Sequence, residues 1–175
     1  LKKPNPADAE TDAAGTTPAR PEELVLDGKQ MVLEDILKRS VKKTLAIEEE
    51  RNPQKAEELR EERARTAKVI AALGPPGTGK STILKRMISY TLRKGGRVLV
   101  AFPTGQLASR LRQEFGKDVA IDTCHGAFLF HRPEQEALPI LSSYDLIAID
   151  EFPQLEAGHF DRVIRMWEAA GKVPT

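Results

Sequence analysis

The sequence has little cysteine, few aromatic residues and no long apolar run. Its single cysteine, Cys124, excludes an internal disulfide framework and a zinc site built from several cysteines. No stretch approaches the roughly 20 apolar residues that span a bilayer, and the first residues lack the charged-then-apolar pattern of a secretory signal. These absences predict a soluble, intracellular protein that does not engage a membrane.

An excess of charge of one sign is also missing. Lysine and arginine number 27 against 26 aspartates and glutamates, for a net charge of +1. This balance demands neither nucleic acid nor an acidic membrane as a partner. The 175 residues are enough for one compact α/β domain with a tail. Because the sequence begins with Leu1 and ends at Thr175 just after a helical pattern, we expect it to be a piece of a longer protein.

Composition divides the chain into three parts. Residues 1–22 are rich in proline, alanine, threonine and charge and predict a disordered tail. Residues 23–66 predict a charged helical segment. One apolar stripe repeats every four residues in it (Leu33, Leu37, Val41 and Leu45), and Asn52 and Pro53 are typical of a second helix start. The Glu and Arg residues that follow are interpreted as a solvated face.

Residues 67–175 predict a P-loop ATPase domain. Four short apolar runs of strand length alternate with helical patterns: KVIAAL at 68–73, RVLVAF at 97–102, VAID at 119–122 and DLIAID at 145–150. The stretch around Pro133 and Pro139 is interpreted as less regular. This alternation predicts an α/β fold, a parallel sheet with helices on both faces.

A glycine-rich loop stands between the first run and the next helix. It matches the pattern G-x-x-x-x-G-K-[ST] in the context which that pattern requires. We expect its backbone amides to surround the phosphates of ATP, with Lys80 bridging the terminal phosphates and Ser81 ligating Mg²⁺. The predicted nucleotide-binding residues are Gly74, Pro75, Pro76, Gly77, Thr78, Gly79, Lys80, Ser81 and Thr82.

Two acidic residues end the last apolar run. Asp150 fits a second Mg²⁺ ligand, and Glu151 points elsewhere and fits the general base that orients the attacking water. With Lys80 and Glu151 as catalytic residues, the pattern favours ATP hydrolysis over simple ATP binding.

The segments between the loop and the acidic pair carry a family resemblance. VLVAFPTGQLASRL at 98–111, DTCHGAF at 122–128 and DLIAIDEFPQL at 145–155 follow the loop in the order found in PIF/RecD-like superfamily 1 DNA helicases, which they resemble. The resemblance implies the first RecA-like domain of an ATP-dependent DNA helicase. It also implies a monomeric motor in the nucleus or mitochondrion, with roles in DNA repair, recombination or telomere maintenance.

Carried over to this sequence, the resemblance implies two contact segments for single-stranded DNA. The first holds Pro103, Thr104 and Gly105, and the second holds Thr123 and His125. His125 alone could equally be a structural histidine. Arg110 and Arg112 either add charge there or are simply exposed, Gln54 stands at the distance of the family's adenine-contacting glutamine, and Cys124 is not interpreted as a nucleophile.

The sequence also departs from the family. Phe152, Pro153 and Gln154 follow the acidic pair where the family often has small or hydroxyl residues. The second RecA-like domain, and the arginine that completes the ATP site from across the cleft, have no counterpart before Thr175. Two alternatives stay open: an AAA+ ATPase that remodels proteins as a ring, and a nucleotide-binding module without turnover.

In sheets of the type that this sequence resembles, the strand after the acidic pair inserts between the strand leading to the loop and the strand carrying the acids. Here it would begin just beyond Val173. Residues 68–73 and 145–150 would then face a gap. We therefore expect residues 1–175 alone to be aggregation-prone or molten.

Overall fold

The computed structural model describes residues 25–175, apart from the side chains of Leu107 and Arg110, so the predicted tail lies outside the described residues. The helices are α1 (Gly28–Glu49), α2 (Pro53–Thr66), α3 (Lys80–Arg93), α4 (Gly105–Phe115), α5 (Cys124–Ala127), α6 (Glu134–Leu141) and α7 (Ala157–Ala169). The strands are β1 (Val98–Phe102), β2 (Ala120–Thr123) and β3 (Leu146–Ile149), and a 3-10 turn covers Phe152–Gln154. No helix of the described part is long and apolar enough to cross a membrane.

The three strands form one parallel sheet in the order β2-β1-β3. Every residue of the central strand β1 is buried, as expected for a parallel strand covered on both faces. Val98, Val100 and Phe102 pack in a core with residues of α1, α3 and α4. Leu99 and Ala101 pack on the other face with residues of α5, α6 and α7. The predicted α/β class, with a parallel sheet between helices, is confirmed.

Helix α1 is anchored on the helix that follows the glycine-rich loop. Val41 and Leu45 from its predicted stripe are buried in the core shared with α3. Glu34 is 6% exposed and forms ion pairs with Lys38 (2.7 Å) and with Arg86 of α3 (3.2 Å). Burial pushes the pKa of Glu34 upward, but hydrogen bonds from both cations outweigh it and hold that pKa below its usual value.

Helix α2 begins as predicted, because the Asn52 carboxamide oxygen accepts hydrogen bonds from the amides of Gln54 and Lys55. Its expected solvated face is wrong at one position. Arg63 is 3% exposed and donates to the Val173 carbonyl and to the Ser40 hydroxyl. Burial lowers the pKa of its guanidinium. The charge of Arg63 therefore wrongly predicted that its side chain is exposed. Its partners belong to α1 and to the end of the chain, and the sequence of α2 alone does not indicate them.

The predicted strand at 68–73 is not a strand in the structure. The segment has no regular secondary structure, and most of its residues are exposed. The sheet ends at β3. Among the described residues, Thr175 forms backbone hydrogen bonds with the outer edge of β3. The Ile147 amide donates to the Thr175 carbonyl (2.8 Å), and the Thr175 amide donates to the Asp145 carbonyl (2.9 Å), as in a parallel strand pair. With no strand of residues 25–175 beside it, the segment at 68–73 cannot form a ladder.

The region expected to be irregular after β2 contains the short helices α5 and α6. Pro133 precedes α6 and Pro139 lies inside it. Ala137 and Leu141, four residues apart, are both buried against the α7 side of the sheet. The two prolines predicted an irregular segment, but residues 134–141 form a helix whose small apolar face is buried.

Candidate nucleotide site

The glycine-rich loop has the backbone shape that its sequence predicts. Gly77 and Gly79 have φ values of 80° and 76°, a left-handed conformation that residues with a Cβ rarely adopt. The Lys80 ammonium donates to the carbonyls of Gly74 (2.8 Å) and Pro75 (3.0 Å), so it lies inside the loop. No side chain caps the start of α3. Its first amides are therefore available to an anion, and the helix dipole favours negative charge there.

The acidic pair lies at the carboxyl end of β3. The Asp150 amide continues the pairing with β1 through the Ala101 carbonyl (3.1 Å), and one Asp150 carboxylate oxygen accepts the Glu151 amide (3.0 Å). Glu151 has φ 54°, a left-handed conformation for a residue that is not glycine. Such strain costs of order 1–3 kcal/mol and clusters at functional sites. It turns the backbone just after Asp150, and the separate roles of the two carboxylates stay a prediction.

Burial raises the pKa of the Asp150 carboxyl, and the negative charge of Glu151 adds to the rise. The Glu151 amide and the positive charge of Lys80 act in the opposite direction. Asp150 is thus a half-buried acid within electrostatic range of Lys80. A divalent cation beside it would favour its ionised form.

One cleft of about 480 Å³ brings the loop and the acidic pair together. Its polar end is bordered by Gly74, Pro76, Lys80, Asp150 and Glu151. Ser81 and Thr82 lie in the first turn of α3 beside it. The remainder is largely apolar and runs between residues 68–73 and β3. The polar end of the cleft therefore suits a triphosphate. The apolar part is lined by residues 68–73 and β3 and does not suit phosphates.

The donor set at the polar end suits Mg²⁺. Within residues 25–175 no group of three or more His, Cys, Asp or Glu side chains could enclose a metal by itself. Mg²⁺ is usually held by one or two carboxylates together with substrate phosphates and water. Asp150 with the Ser81 hydroxyl is compatible with that pattern, and their role as Mg²⁺ ligands stays a prediction.

The two segments assigned to DNA follow the carboxyl ends of neighbouring strands. Pro103, Thr104 and Gly105 come after β1, and Thr123 and His125 end β2 and enter α5. Phe102 pairs with Thr123 in register, and a Cβ at Gly105 would lie 3.9 Å from the Thr123 methyl group. The two segments therefore meet at one edge of the sheet, and β1 separates β2 from the acidic pair on β3.

The side chains of these segments differ in their availability. Thr123 caps α5 by accepting the Gly126 amide (3.1 Å), which leaves its hydroxyl proton free to donate. Thr104 is exposed at the start of α4 and makes no side-chain cap there. His125 is exposed and packs edge-on against Phe130 and His159, with ring centroids 5.2 Å and 4.9 Å away. These groups can donate to phosphate without reading base sequence.

The structure also describes Arg112 and Cys124, which the sequence analysis considered beside the DNA segments. Arg112 donates to the Ile121 carbonyl from two nitrogens (2.7 Å and 3.2 Å), so its guanidinium is directed at β2. The Arg110 side chain is outside the described part. Cys124 is fully buried, and burial raises the pKa of its thiol to about 11, which makes it unreactive at neutral pH.

Comparison with known proteins gives a family. A family model described as an AAA domain matches residues 57–173, which is more than half of the chain. The chain belongs to this AAA-domain family. Its domains are P-loop NTPase-like and are found in UvrD-type and PIF-type helicases. Searches of the curated proteins and of the solved structures found no match. The match supports nucleotide binding at the P-loop and a general NTPase activity.

One contact of the AAA-domain chain was not foreseen. The side-chain amide of Gln30, in the first turn of α1, donates to the Thr78 carbonyl of the P-loop (2.9 Å). The sequence signal that bears on it is the pair Asp27 and Gln30, three residues apart before an apolar stripe, which is typical of a helix start. Gln54 is exposed in the first turn of α2 and does not border the cleft. Its contact with adenine stays a prediction.

Proposed function

We propose that this AAA domain hydrolyses Mg²⁺-ATP and is the motor domain of a PIF/RecD-like DNA helicase, coupling hydrolysis to movement on single-stranded DNA. The observation that carries the proposal is the placement of Lys80, Asp150 and Glu151 around one polar end of a cleft. The two segments that resemble the helicase DNA contacts lie at the same edge of the sheet.

Each residue of the nucleotide site has a distinct role in this proposal. Lys80 exchanges its bonds to the loop carbonyls for bonds to the terminal phosphates. Ser81 and Asp150 would hold Mg²⁺, which would supply positive charge to the phosphate oxygens. Glu151 accepts the proton of the attacking water, because it is an exposed carboxylate at the polar end of the cleft.

The DNA contacts in this proposal are sequence-tolerant. The uncapped start of α4 at Thr104 offers backbone amides to a phosphate, and Thr123 and His125 offer a hydroxyl and an imidazole beside it. One DNA segment directly follows β1, and β1 is paired with β3, which carries the acidic pair. A small shift of β1 or its loop would therefore link movement of the bound DNA to the state of the ATP. The cellular roles and the organelle remain those that the resemblance implies, as does the monomeric state.

The test is ATP hydrolysis by the full-length protein with and without single-stranded DNA. We expect DNA to stimulate hydrolysis. A variant with both Thr104→Ala and His125→Ala should bind DNA more weakly with nearly unchanged ATP affinity. Ser109→Ala, an exposed change on α4, is the matched control and should behave as the wild type.

Each contrary result has a distinct meaning. Hydrolysis that DNA does not stimulate, together with assembly into rings, would favour a protein-remodelling ATPase. ATP binding without hydrolysis would favour a module without turnover. Undiminished DNA binding by the double variant would locate the DNA track elsewhere.

A further inference from the structure

The side-chain carboxamide of Gln30 makes two hydrogen bonds, one within α1 and one to the P-loop. Its oxygen accepts the Asp27 amide (2.9 Å), while its own backbone amide donates to the Asp27 carboxylate (2.9 Å), which is a capping box at the start of α1. Its nitrogen donates across 48 residues of sequence to the Thr78 carbonyl. The first turn of α1 is thereby tied to the P-loop, although α1 lies outside residues 57–173 of the family match.

The bond to Thr78 orients the next peptide group of the loop. In a trans peptide the carbonyl and the following N–H point in opposite directions. When Gln30 holds the Thr78 carbonyl toward α1, the Gly79 amide must point away from α1. Gly79 is the last residue before α3, in the stretch where the backbone amides of a P-loop surround phosphate.

The packing around Gly79 agrees with a fitted contact. A Cβ placed on Gly79 would overlap the Gln30 side-chain amide, whereas a Cβ on Gly77 would meet no atom within 4 Å. Farther along α1, the buried Glu34 pairs with Arg86 of α3, so α1 is joined to the helix that follows the loop as well as to the loop itself. Gln30 is therefore held at a defined position relative to the loop.

We propose that Gln30 is a positioning residue of the nucleotide site: it fixes the Thr78–Gly79 peptide so that the Gly79 amide is oriented for phosphate before ATP binds. Helix α1 is by this contact part of the nucleotide site and not only a flanking element. The proposal rests on nucleotide binding by the P-loop and does not depend on DNA.

Two substitutions remove the contact with the loop. Gln30→Glu keeps an acceptor for the Asp27 amide but loses the donor to Thr78. Gln30→Met loses both that acceptor and the donor without adding charge, so its effect on the helix cap is judged against Asp27→Ala. We expect both to raise the Kd for a fluorescent ATP analogue with Mg²⁺, and the KM for ATP, about threefold to tenfold, as for the loss of one neutral hydrogen bond. The kcat should change less than twofold, because positioning for binding is lost and not the chemistry.

Asp27→Ala is the matched control. It removes the other half of the capping box and weakens the start of α1, but it keeps the Gln30 carboxamide. We expect its KM to stay within twofold of the wild type, while thermal unfolding without nucleotide shows the lost cap.

Four results would overturn the proposal. Unchanged Kd in both Gln30 variants would show that the contact does not serve binding, although the ATPase proposal would stand. An effect confined to Gln30→Glu would be charge repulsion, and an equal effect of Asp27→Ala would be helix destabilisation. No binding of the analogue by the wild type would remove the nucleotide site itself, on which this inference depends.

Discussion

The two left-handed glycines of the P-loop allow the contact between α1 and the loop to be measured. Gly77 and Gly79 have nearly the same φ, so replacing either by alanine costs about 1–2 kcal/mol of left-handed backbone strain. Only at Gly79 would the new methyl group displace the Gln30 amide from Thr78. Gly79→Ala should therefore cost more than Gly77→Ala by about 0.5–1.5 kcal/mol, the net value of that hydrogen bond.

The assay is urea unfolding of the full-length protein without nucleotide, where the alanine cannot act through a bound phosphate. For domains of 150–250 residues, 1 kcal/mol corresponds to about 2–4 °C in thermal midpoint, so the difference between the two variants is measurable by heat as well. Repeating Gly79→Ala in a Gln30→Ala background completes a double-mutant cycle. The extra cost should then vanish, because there is no longer a side chain to displace.

Two outcomes would refute this reasoning. Equal destabilisation by the two glycine substitutions would show that the Gln30 contact contributes nothing to the folded state. An extra cost at Gly79 that persists without the Gln30 side chain would assign it to the loop backbone instead.

The remaining predictions concern the catalytic groups and the sheet. Lys80→Ala should remove most of the affinity for Mg²⁺-ATP in a fluorescent-analogue titration, and equal binding by both forms would make the loop assignment wrong. Glu151→Gln should keep ATP binding and lower the hydrolysis rate, since an amide cannot take the proton; an unchanged rate would exclude Glu151 as the base. Burial raises the pKa of Asp150 above its ordinary value of 3.8, so the neutral acid favours the folded state. This stabilising contribution is complete at pH below 3.8 and is lost as the pH rises through the folded pKa. Asp150→Asn should therefore stabilise the nucleotide-free protein at pH 7 relative to wild type but not at the acid end, and a denaturation series over pH checks the sign. Residues 1–175 alone should aggregate or unfold without a sharp transition, while a chain extended by one strand after Thr175 should unfold cooperatively. A sharp, reversible transition of the 175-residue chain would show that the sheet closes in another order.

Short sequence patterns correctly predicted features that depend on nearby residues or on the burial of one helix face. The four-residue apolar stripe of α1 delivers Val41 and Leu45 to the core, and Asn52 caps α2 through its own side chain. The P-loop pattern predicted a tightly curled glycine-rich backbone, and Gly77 and Gly79 adopt left-handed conformations in it. In each case the determining contacts lie within a few residues of sequence, or follow from burial of one face.

Contacts between distant parts of the chain were not predictable in the same way. The partners of Arg63 include Ser40 and Val173, 23 and 110 residues away, and Thr78 is 48 residues from Gln30. Neither residue type nor spacing distinguishes these side chains from their exposed neighbours. Only the docking of α1 against α3, and of α2 against α1 and the end of the chain, brings them to their partners.

Residues 68–73 show why a correct apolar pattern can still give the wrong local structure. The run has the length and composition of a buried strand, but strand formation depends on a neighbour that pairs with the backbone. The position next to β3 is taken by Thr175 for a single parallel step, and the apolar walls of the cleft, including Val69, Ile147 and Trp167, remain apart beyond it. Among the described residues no strand fills the space between residues 68–73 and β3. Apolar side chains from both sides line that space, so a cleft with a polar end is apolar along the rest of its length.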